Sequence, residues 1–479
     1  MSIPLTPGKR GVVLGCGAAG LSVVRFLLAH GQEVALSDRG PAEALDPGQL
    51  EALEQLGVAL EWGEHSRGFV LESDYIVPSP GVPLDIPILQ AAAARNIPLL
   101  GELALAAGRF QLPVIAITGS NGKTTVTELV GELLAAQGIR TFVGGNIGTP
   151  LLDFFVDPGG YQAVVLELSS FQLELAGDFR PEIAMILNIS PDHLDRHHSL
   201  EAYMGAKLKL LAKQQPGDIA ILGGDDSRLD QAGTAPGVAL YRFGHGATSE
   251  ARVCGDIIEL TLERDAARSV PPPERYRLEQ TSLATAVNRL NAAAALLAVR
   301  LLPPLLRTPA AGATDIGPEA VQLGLAGFQP PPHRMAEVAM IDGVRYINDS
   351  KATNVGALQA ALAGSEQPLI LIAGGRDKDS DFRPLAELLA SRVRHLVLIG
   401  EAAAKLAALF RGRLAISQAS SMEEAVALAS GVAAPGDCVL LAPGCASFDM
   451  FQGYGHRGEV FSRCVLQLKQ ETETAKEGR

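Results

Sequence analysis

The stretch Pro113-Val-Ile-Ala-Ile-Thr-Gly-Ser-Asn-Gly-Lys-Thr-Thr125 decides how the rest of the chain is read. A short apolar strand runs into a glycine turn, and helical spacing follows over about 123–137. A bound phosphate chain needs backbone N–H groups at close approach, which glycine permits, with a helix N-terminus behind them. It also needs a lysine for the terminal phosphates and a hydroxyl for a magnesium ion. Gly119 and Gly122 permit the turn, Lys123 supplies the charge and Thr124 the hydroxyl. The general phosphate-loop pattern has glycine five positions before Gly122, where this chain has Ile117. An ordinary glycine turn is the plainer alternative, but Gly-Lys-Thr-Thr between a strand and a helix favours a nucleotide.

Two neighbouring strands, at about 163–168 and 183–188, place polar residues at their carboxyl ends, where open α/β sheets collect ligands. Glu167 lies in Leu166-Glu-Leu-Ser-Ser-Phe-Gln172, and His193 in Asn188-Ile-Ser-Pro-Asp-His-Leu-Asp195. A lone histidine is more often structural. Beside a phosphate loop, a carboxylate and an imidazole suit Mg²⁺, which takes few protein ligands plus phosphate oxygens.

Further out, Gly15-Cys-Gly-Ala-Ala-Gly20 follows a strand at 11–15, and Asp38 ends the next strand. This is a fair dinucleotide fingerprint. An NAD-dependent oxidoreductase is therefore one open reading, and a phosphate-loop switch or motor is another. Against the first, nothing downstream offers a hydride-transfer site. After residue 330 a third strand–helix alternation carries Pro332-His-Arg334, Asn348-Asp-Ser-Lys-Ala-Thr-Asn354 and Ala442-Pro-Gly-Cys-Ala-Ser-Phe-Asp449, each in a loop beside a strand.

A chain of 479 residues exceeds one core, and three successive α/β blocks predict domains at 1–103, 104–329 and 330–479. The fold class is α/β: a Rossmann-like first domain, a central phosphate-loop ATPase-type domain and a Rossmann-like third domain. The stretches 268–275 and 301–318 read as loops, and the charged tail 469–479 as frayed. A net charge of −13 disfavours nucleic-acid binding. Five scattered cysteines without a CxxC pair read as reduced thiols, and no apolar run is long enough to span a membrane. Both point to the cytoplasm.

Taken in order, Thr118-Gly-Ser-Asn-Gly-Lys-Thr124, Gly144-Gly-Asn-Ile-Gly148, Glu167-Leu-Ser-Ser-Phe-Gln172, Asp192-His-Leu-Asp195, Pro332-His-Arg334, Asp349-Ser-Lys-Ala-Thr-Asn354 and Ser447-Phe-Asp449 resemble the Mur ligase family over essentially the whole chain. The third-block motif and the short Gly15–Gly20 loop resemble the branch that adds D-glutamate to UDP-N-acetylmuramoyl-L-alanine. Another amide ligase of the same superfamily is the nearest alternative.

The resemblance implies ATP and Mg²⁺, those two small-molecule substrates, an acyl-phosphate intermediate and a monomer. It implies uridine-nucleotide contacts at Ala18, Ala19, Asp38, Arg39 and Gly81, and muramoyl-alanine contacts at Asn146 and His193. Gly119, Asn121, Gly122, Lys123, Thr124 and Thr125 would cradle phosphates, and Asn288, Asn291, Arg334 and Asp349 would meet the rest of ATP. Lys351, Thr353, Ser447 and Phe448 would hold D-glutamate, with Lys378 on its side-chain carboxylate. Thr124, Glu167, His193 and Lys207 would hold metal, with Lys123, Glu167, His193 and Lys207 the catalytic set; Lys207 would be carbamylated. From the residues alone, Lys207 and Lys209 both read as helix-surface lysines. Two departures from the family stand out: Val287 in place of a histidine before Asn288, and Phe448 in place of leucine.

Overall fold

The computed structural model describes residues 5–262, 273–306, 317–365, 367–377 and 380–477. Its strands form three sheets. The first is fully parallel, in the order Ala59–Trp62, Glu33–Asp38, Arg10–Leu14, Tyr75–Pro78. Parallel strands covered on both faces carry unbroken apolar runs, and Val12, Val13 and Leu14 are fully buried. The helix Ala18–Ala29 begins almost on the strand end. A Cβ on Gly20 would lie 1.9 Å from the Gly15 carbonyl oxygen, so only glycine allows that packing.

The central sheet has nine strands. Seven neighbours, from Thr141–Gly145 through Ala163–Glu167, Val114–Thr118, Ile183–Ile186, Ile219–Gly223 and Ala239–Gly244 to Ala251–Cys254, run parallel. The helices Lys123–Ala136 and Ala286–Leu301 pack together over one face. Ala292, Ala293, Ala294 and Ala295 are fully buried there, and their small side chains let the helix press close to its neighbours. The six-stranded third sheet is parallel except for its edge strand Ala336–Ile341, which pairs antiparallel with Val344–Asn348.

Three expectations need correction. The tail does not fray at 469: one helix, Tyr454–Glu477, runs on through it. Val460, Phe461 and Val465 seat this helix on the third core, so its polar end extends from a nucleated helix. Residues 274–275 are not loop; they belong to the strand Glu274–Arg277, which pairs with Ile257–Leu260. Likewise Pro303–Leu305 is a helical turn and Pro318 opens the helix Pro318–Gly327, while 263–272 and 307–316 lie outside the described residues.

Two buried polar groups join segments that are far apart in sequence. Arg457 is completely buried, donating to Ser350 Oγ at 3.0 Å, to the Ser350 carbonyl at 2.8 Å and to the Cys445 carbonyl at 3.1 Å. It thereby fixes the Asp349-Ser-Lys loop against the loop after strand Cys438–Leu441. Glu102, 4% exposed, accepts a hydrogen bond from Gln172 Nε2 where the first domain meets the central one.

Burial raises the Glu102 carboxyl from 4.5 to about 7. Between those values the folded chain keeps a proton that the unfolded chain has lost, so stability falls as pH rises through that window. Glu102→Gln should abolish this dependence. Its unfolding midpoint should match the native chain at about pH 4 and exceed it at about pH 8, by up to roughly 3 kcal/mol of stability. Equal midpoints at both pH values would show that Glu102 ionises freely in the fold.

Candidate active site

The carboxyl ends of the strands Val114–Thr118, Ala163–Glu167 and Ile183–Ile186 open on one side of the central sheet. The loop after the first holds Gly119 at φ 152° and Gly122 at φ 86°, conformations that disfavour any side chain. A Cβ on Gly122 would also lie 2.4 Å from Asn291 Oδ1. Lys123 folds back over the loop, its Nζ donating to the Gly119 and Ser120 carbonyls at 2.9 Å each.

Lys207 corrects the surface reading. It is 1% exposed, stands 4.6 Å over the Tyr203 ring and donates to the same Gly119 carbonyl at 2.9 Å. The helix Leu200–Leu208 turns this side chain inward, while its neighbour Lys209 stays exposed and bonds the Glu174 carbonyl. Burial, reinforced by the Lys123 charge, holds the Lys207 amine well below the usual lysine range. Burial lowers Lys123 as well, against the opposing pull of Glu167 and Asp192.

Glu167 is 2% exposed. Its Oε1 accepts from Asn146 Nδ2 at 2.8 Å, while its buried Oε2 has no hydrogen-bond partner among the described residues. Such an oxygen is costly unless a cation or donor completes it. His193 takes a left-handed backbone at φ 54°, its N–H donating to Asp192 Oδ1 at 2.9 Å and its ring lying against Phe171. Among the described residues no group of three His, Cys, Asp or Glu side chains is placed to hold a metal ion.

The third domain closes the space from the far side. Arg334 lies between two left-handed residues, His333 at φ 65° and Met335 at φ 49°, a turn that carries it into the cavity. Asp349 accepts from the Met335 N–H at 3.2 Å, and burial raises its carboxyl to about 7. Lys351 sits 3.8 Å over the Tyr454 ring, and burial lowers it to about 8.

These groups enclose a cavity of about 330 Å³. Of the expected site residues, Asn121, Gly122, Lys123, Thr124, Thr125, Asn146, Glu167, His193, Lys207, Asn288, Asn291, Arg334, Asp349, Lys351 and Thr353 line it, and Gly119 turns its carbonyl to the two lysines. Ala18, Ala19, Asp38, Arg39 and Gly81 belong to the first domain and do not line it. There Asp38 braces the glycine loop, accepting from the Cys16 and Gly40 N–H groups at 2.7 Å each. Ser447 is buried and Phe448 is 66% exposed, and neither lines the cavity. Lys378 lies outside the described residues.

Sequence reasoning missed Ser120, Asp192, Tyr203 and Asn354, all in the lining. Three of them, Ser120, Asp192 and Asn354, stood inside quoted motifs. Tyr203 sits one helical turn before Lys207, a spacing that signals contact only once that face is known to be buried.

Three family descriptions match in order: the Mur ligase MurD-like N-terminal domain over 9–101, the Mur ligase middle domain over 117–299 and the Mur ligase glutamate ligase domain over 333–445. The chain is 45% identical over 458 residues to the UDP-N-acetylmuramoylalanine–D-glutamate ligase of Desulfotalea psychrophila, covering 95% of this chain and 96% of that one. It is 40% identical to the enzyme of the same name from Syntrophotalea carbinolica, covering 96% and 98%. Among solved structures, the MurF ligase of Thermotoga maritima in complex with ADP shares the fold at TM-score 0.59 and 18% identity, over 98% of this chain and 96% of that one. A pseudomurein peptide ligase type C from Methanothermus fervidus shares it at 0.58 and 18%, over 96% and 100%.

Gly122→Ala combines an unfavourable φ with the Asn291 clash. It should weaken binding of a non-hydrolysable ATP analogue by at least about tenfold, the equivalent of 1.4 kcal/mol, in calorimetry. Unchanged affinity would mean that nucleotide phosphates lie elsewhere.

Proposed function

The chain belongs to the Mur ligase family, and on that premise we propose that it joins D-glutamate to UDP-N-acetylmuramoyl-L-alanine while ATP becomes ADP and phosphate. The observation that carries this reading is the convergence of Lys123, Lys207 and Glu167 of the central domain with Arg334, Asp349 and Lys351 of the third around one cavity. A phosphate loop alone would serve a hydrolase or a switch. A second domain bringing two more cations suits a reaction that also binds an anionic amino acid.

The phosphates of ATP lie along Gly119–Thr125, and Lys123 moves from its two loop carbonyls onto them. Asn288, Asn291 and Asp349 hold the nucleoside end, with Arg334 over the phosphates. The alanyl carboxylate attacks the γ-phosphorus, breaking its bond to ADP and giving an acyl phosphate. Lys123 and Arg334 offset the charge on the transferring oxygens, and positioning with electrostatics is the main protein contribution to such a step. The neutral amine of D-glutamate then attacks the acyl carbon, and phosphate leaves. The third domain, packed over the cavity, keeps water from the acyl phosphate.

The unpartnered Glu167 Oε2 is the feature that fits a magnesium ion, with Thr124, His193 and Lys207 as its neighbours. When bound, Mg²⁺ supplies positive charge to phosphate and acyl oxygens. A protonated lysine could not serve it. The buried, readily deprotonated Lys207 amine can attack carbon dioxide, forming an N–C bond with loss of a proton, and the resulting carbamate supplies the missing anionic donor.

In the first domain, Ala18, Ala19, Asp38, Arg39 and Gly81 receive the uridine diphosphate end, and Asn146 meets the muramoyl-alanine end. Lys351, Thr353, Ser447 and Phe448 receive D-glutamate, with Lys378 on its distal carboxylate. The family resemblance favours a monomer. No helix among the described residues is long and apolar enough to cross a membrane. The proposed nucleotide substrates favour a reaction in the cytoplasm.

Phosphate release from ATP with UDP-N-acetylmuramoyl-L-alanine should require D-glutamate and fail with L-glutamate, L-alanine, L-lysine or meso-diaminopimelate. Lys123→Ala should abolish it; near-normal turnover in that variant, or release without any acceptor, would sink the reading. After incubation with ¹³C-bicarbonate, the native chain should show a carbamate carbon resonance that Lys207→Arg lacks. Identical spectra would remove the carbamate from the site.

A further inference from the structure

Asn354 is the last residue of the Asp349-Ser-Lys-Ala-Thr-Asn motif and the N-cap of the helix Val355–Ala363. Its Oδ1 accepts the Ala357 N–H at 2.7 Å, an ordinary capping bond. Its Nδ2 does something else. It crosses to the central domain and donates to Asp192 Oδ2 at 2.8 Å, with Asn121 Oδ1 of the phosphate loop at 3.4 Å. The other Asp192 oxygen accepts the N–H of His193. One buried side chain therefore touches three things together: a helix start in the third domain, the phosphate loop, and the turn that carries His193.

Two further observations show that this contact is built. Among the favoured N-cap residues, only asparagine joins a capping oxygen to an NH₂ group of equal reach; aspartate caps but cannot donate, and serine is too short. Two residues on, a Cβ on Gly356 would lie 2.3 Å from Ser190 Oγ. Glycine in a helix weakens it by about 1 kcal/mol relative to alanine, so its presence on this docking face reflects close approach. Ser190 is itself bonded to the phosphate loop, its N–H donating to Ser120 Oγ at 2.8 Å.

We infer that Asn354 is a positioning residue of the ligation reaction, a latch that sets the amino-acid-binding residues of the third domain in register with the phosphate loop. Thr353 and Lys351 precede it in the same loop, so the bond to Asp192 fixes their distance from the acyl carbon. The bond exists only while the third domain rests on the central one. It therefore forms with closure and breaks with opening. A hydrogen bond to a carboxylate is stronger than a neutral one and suits that task. The inference rests on the ligase reading for its kinetic consequences, but its structural consequence stands apart from it.

Asn354→Asp keeps the cap and the size while setting a carboxylate against Asp192, and Asn354→Ser keeps the cap but withdraws the donor. Both should unfold at the native midpoint. In both, kcat/KM for D-glutamate should fall by at least about tenfold, through a higher KM as well as a lower kcat. Asn354→Asp combined with Asp192→Asn recreates a donor–acceptor pair. That double variant should exceed the product of the two single effects by at least about fivefold.

In small-angle scattering with a non-hydrolysable ATP analogue, Asn354→Ser should show a larger radius of gyration than the native chain. Simple multiplication of the single effects, near-native kcat/KM in Asn354→Ser, or equal radii would each overturn the latch. If the native chain itself shows no D-glutamate-dependent release, the proposed function fails. The scattering comparison then decides the latch alone.

Discussion

One backbone carbonyl organises this molecule. The oxygen of Gly119 accepts hydrogen bonds from two lysines, Lys123 and Lys207, each at 2.9 Å, in a region where both amines are buried. Burial lowers the affinity of both amines for a proton, and the Lys123 charge lowers that of Lys207 further. The arrangement persists because Glu167 and Asp192 lie near enough to oppose it. It also has a chemical use. In the proposed reaction a phosphate chain along the loop would supply the negative charge that Lys123 lacks.

The surrounding architecture serves that small volume. Parallel strands end together, so the phosphate loop, Glu167 and the His193 turn share one side of the central sheet. The helices Lys123–Ala136 and Ala286–Leu301 pack tightly enough to bring Asn291 against Gly122. Arg457, buried in the third domain, holds the Asp349-Ser-Lys loop rigid by bonding it to Cys445. Arg334 and Lys351 are thus presented from a braced frame, and the left-handed residues beside Arg334 mark where the backbone is bent to aim it.

Much of this was legible in the sequence because it depends on local chemistry. Gly119, Gly122 and Lys123 announce a phosphate loop by spacing alone, and Glu167 and His193 follow apolar runs that can only be buried strands. Lys207 is different. On its own helix it resembles Lys209, and only the packing of Leu200–Leu208 against the helices Ser170–Glu174 and Leu194–His197 makes one buried and the other exposed. Carbamylation was suggested by family resemblance; the burial that makes the amine nucleophilic appears only in three dimensions. Asn354 was hidden by having two roles, since a capping asparagine explains itself locally and gives no reason to seek a second partner. The strand Glu274–Arg277 went unread because its charged, largely exposed residues break the apolar pattern that marked the others. The tail helix was misjudged because its polar end has no signal of its own; its anchor lies at Phe461 and Val465.

The size of the cavity limits how the reaction can be organised. About 330 Å³ lies near the lower end for a small-molecule site and cannot contain a nucleotide triphosphate, a nucleotide-linked sugar and an amino acid at once. It can hold only their reacting ends. In the proposed reaction the uridine end of the sugar substrate would extend toward the Gly15–Gly20 loop, which Asp38 braces beside the helix Ala18–Ala29. That requirement makes the junction between the first and central domains part of the site, and the buried Glu102–Gln172 contact ties it to the same helix that follows Glu167. The amino acid faces the opposite constraint. On the proposed assignment Lys351 and Thr353, which line the cavity, receive the amino acid, and the Asn354 contact that seats their loop would complete that part of its site.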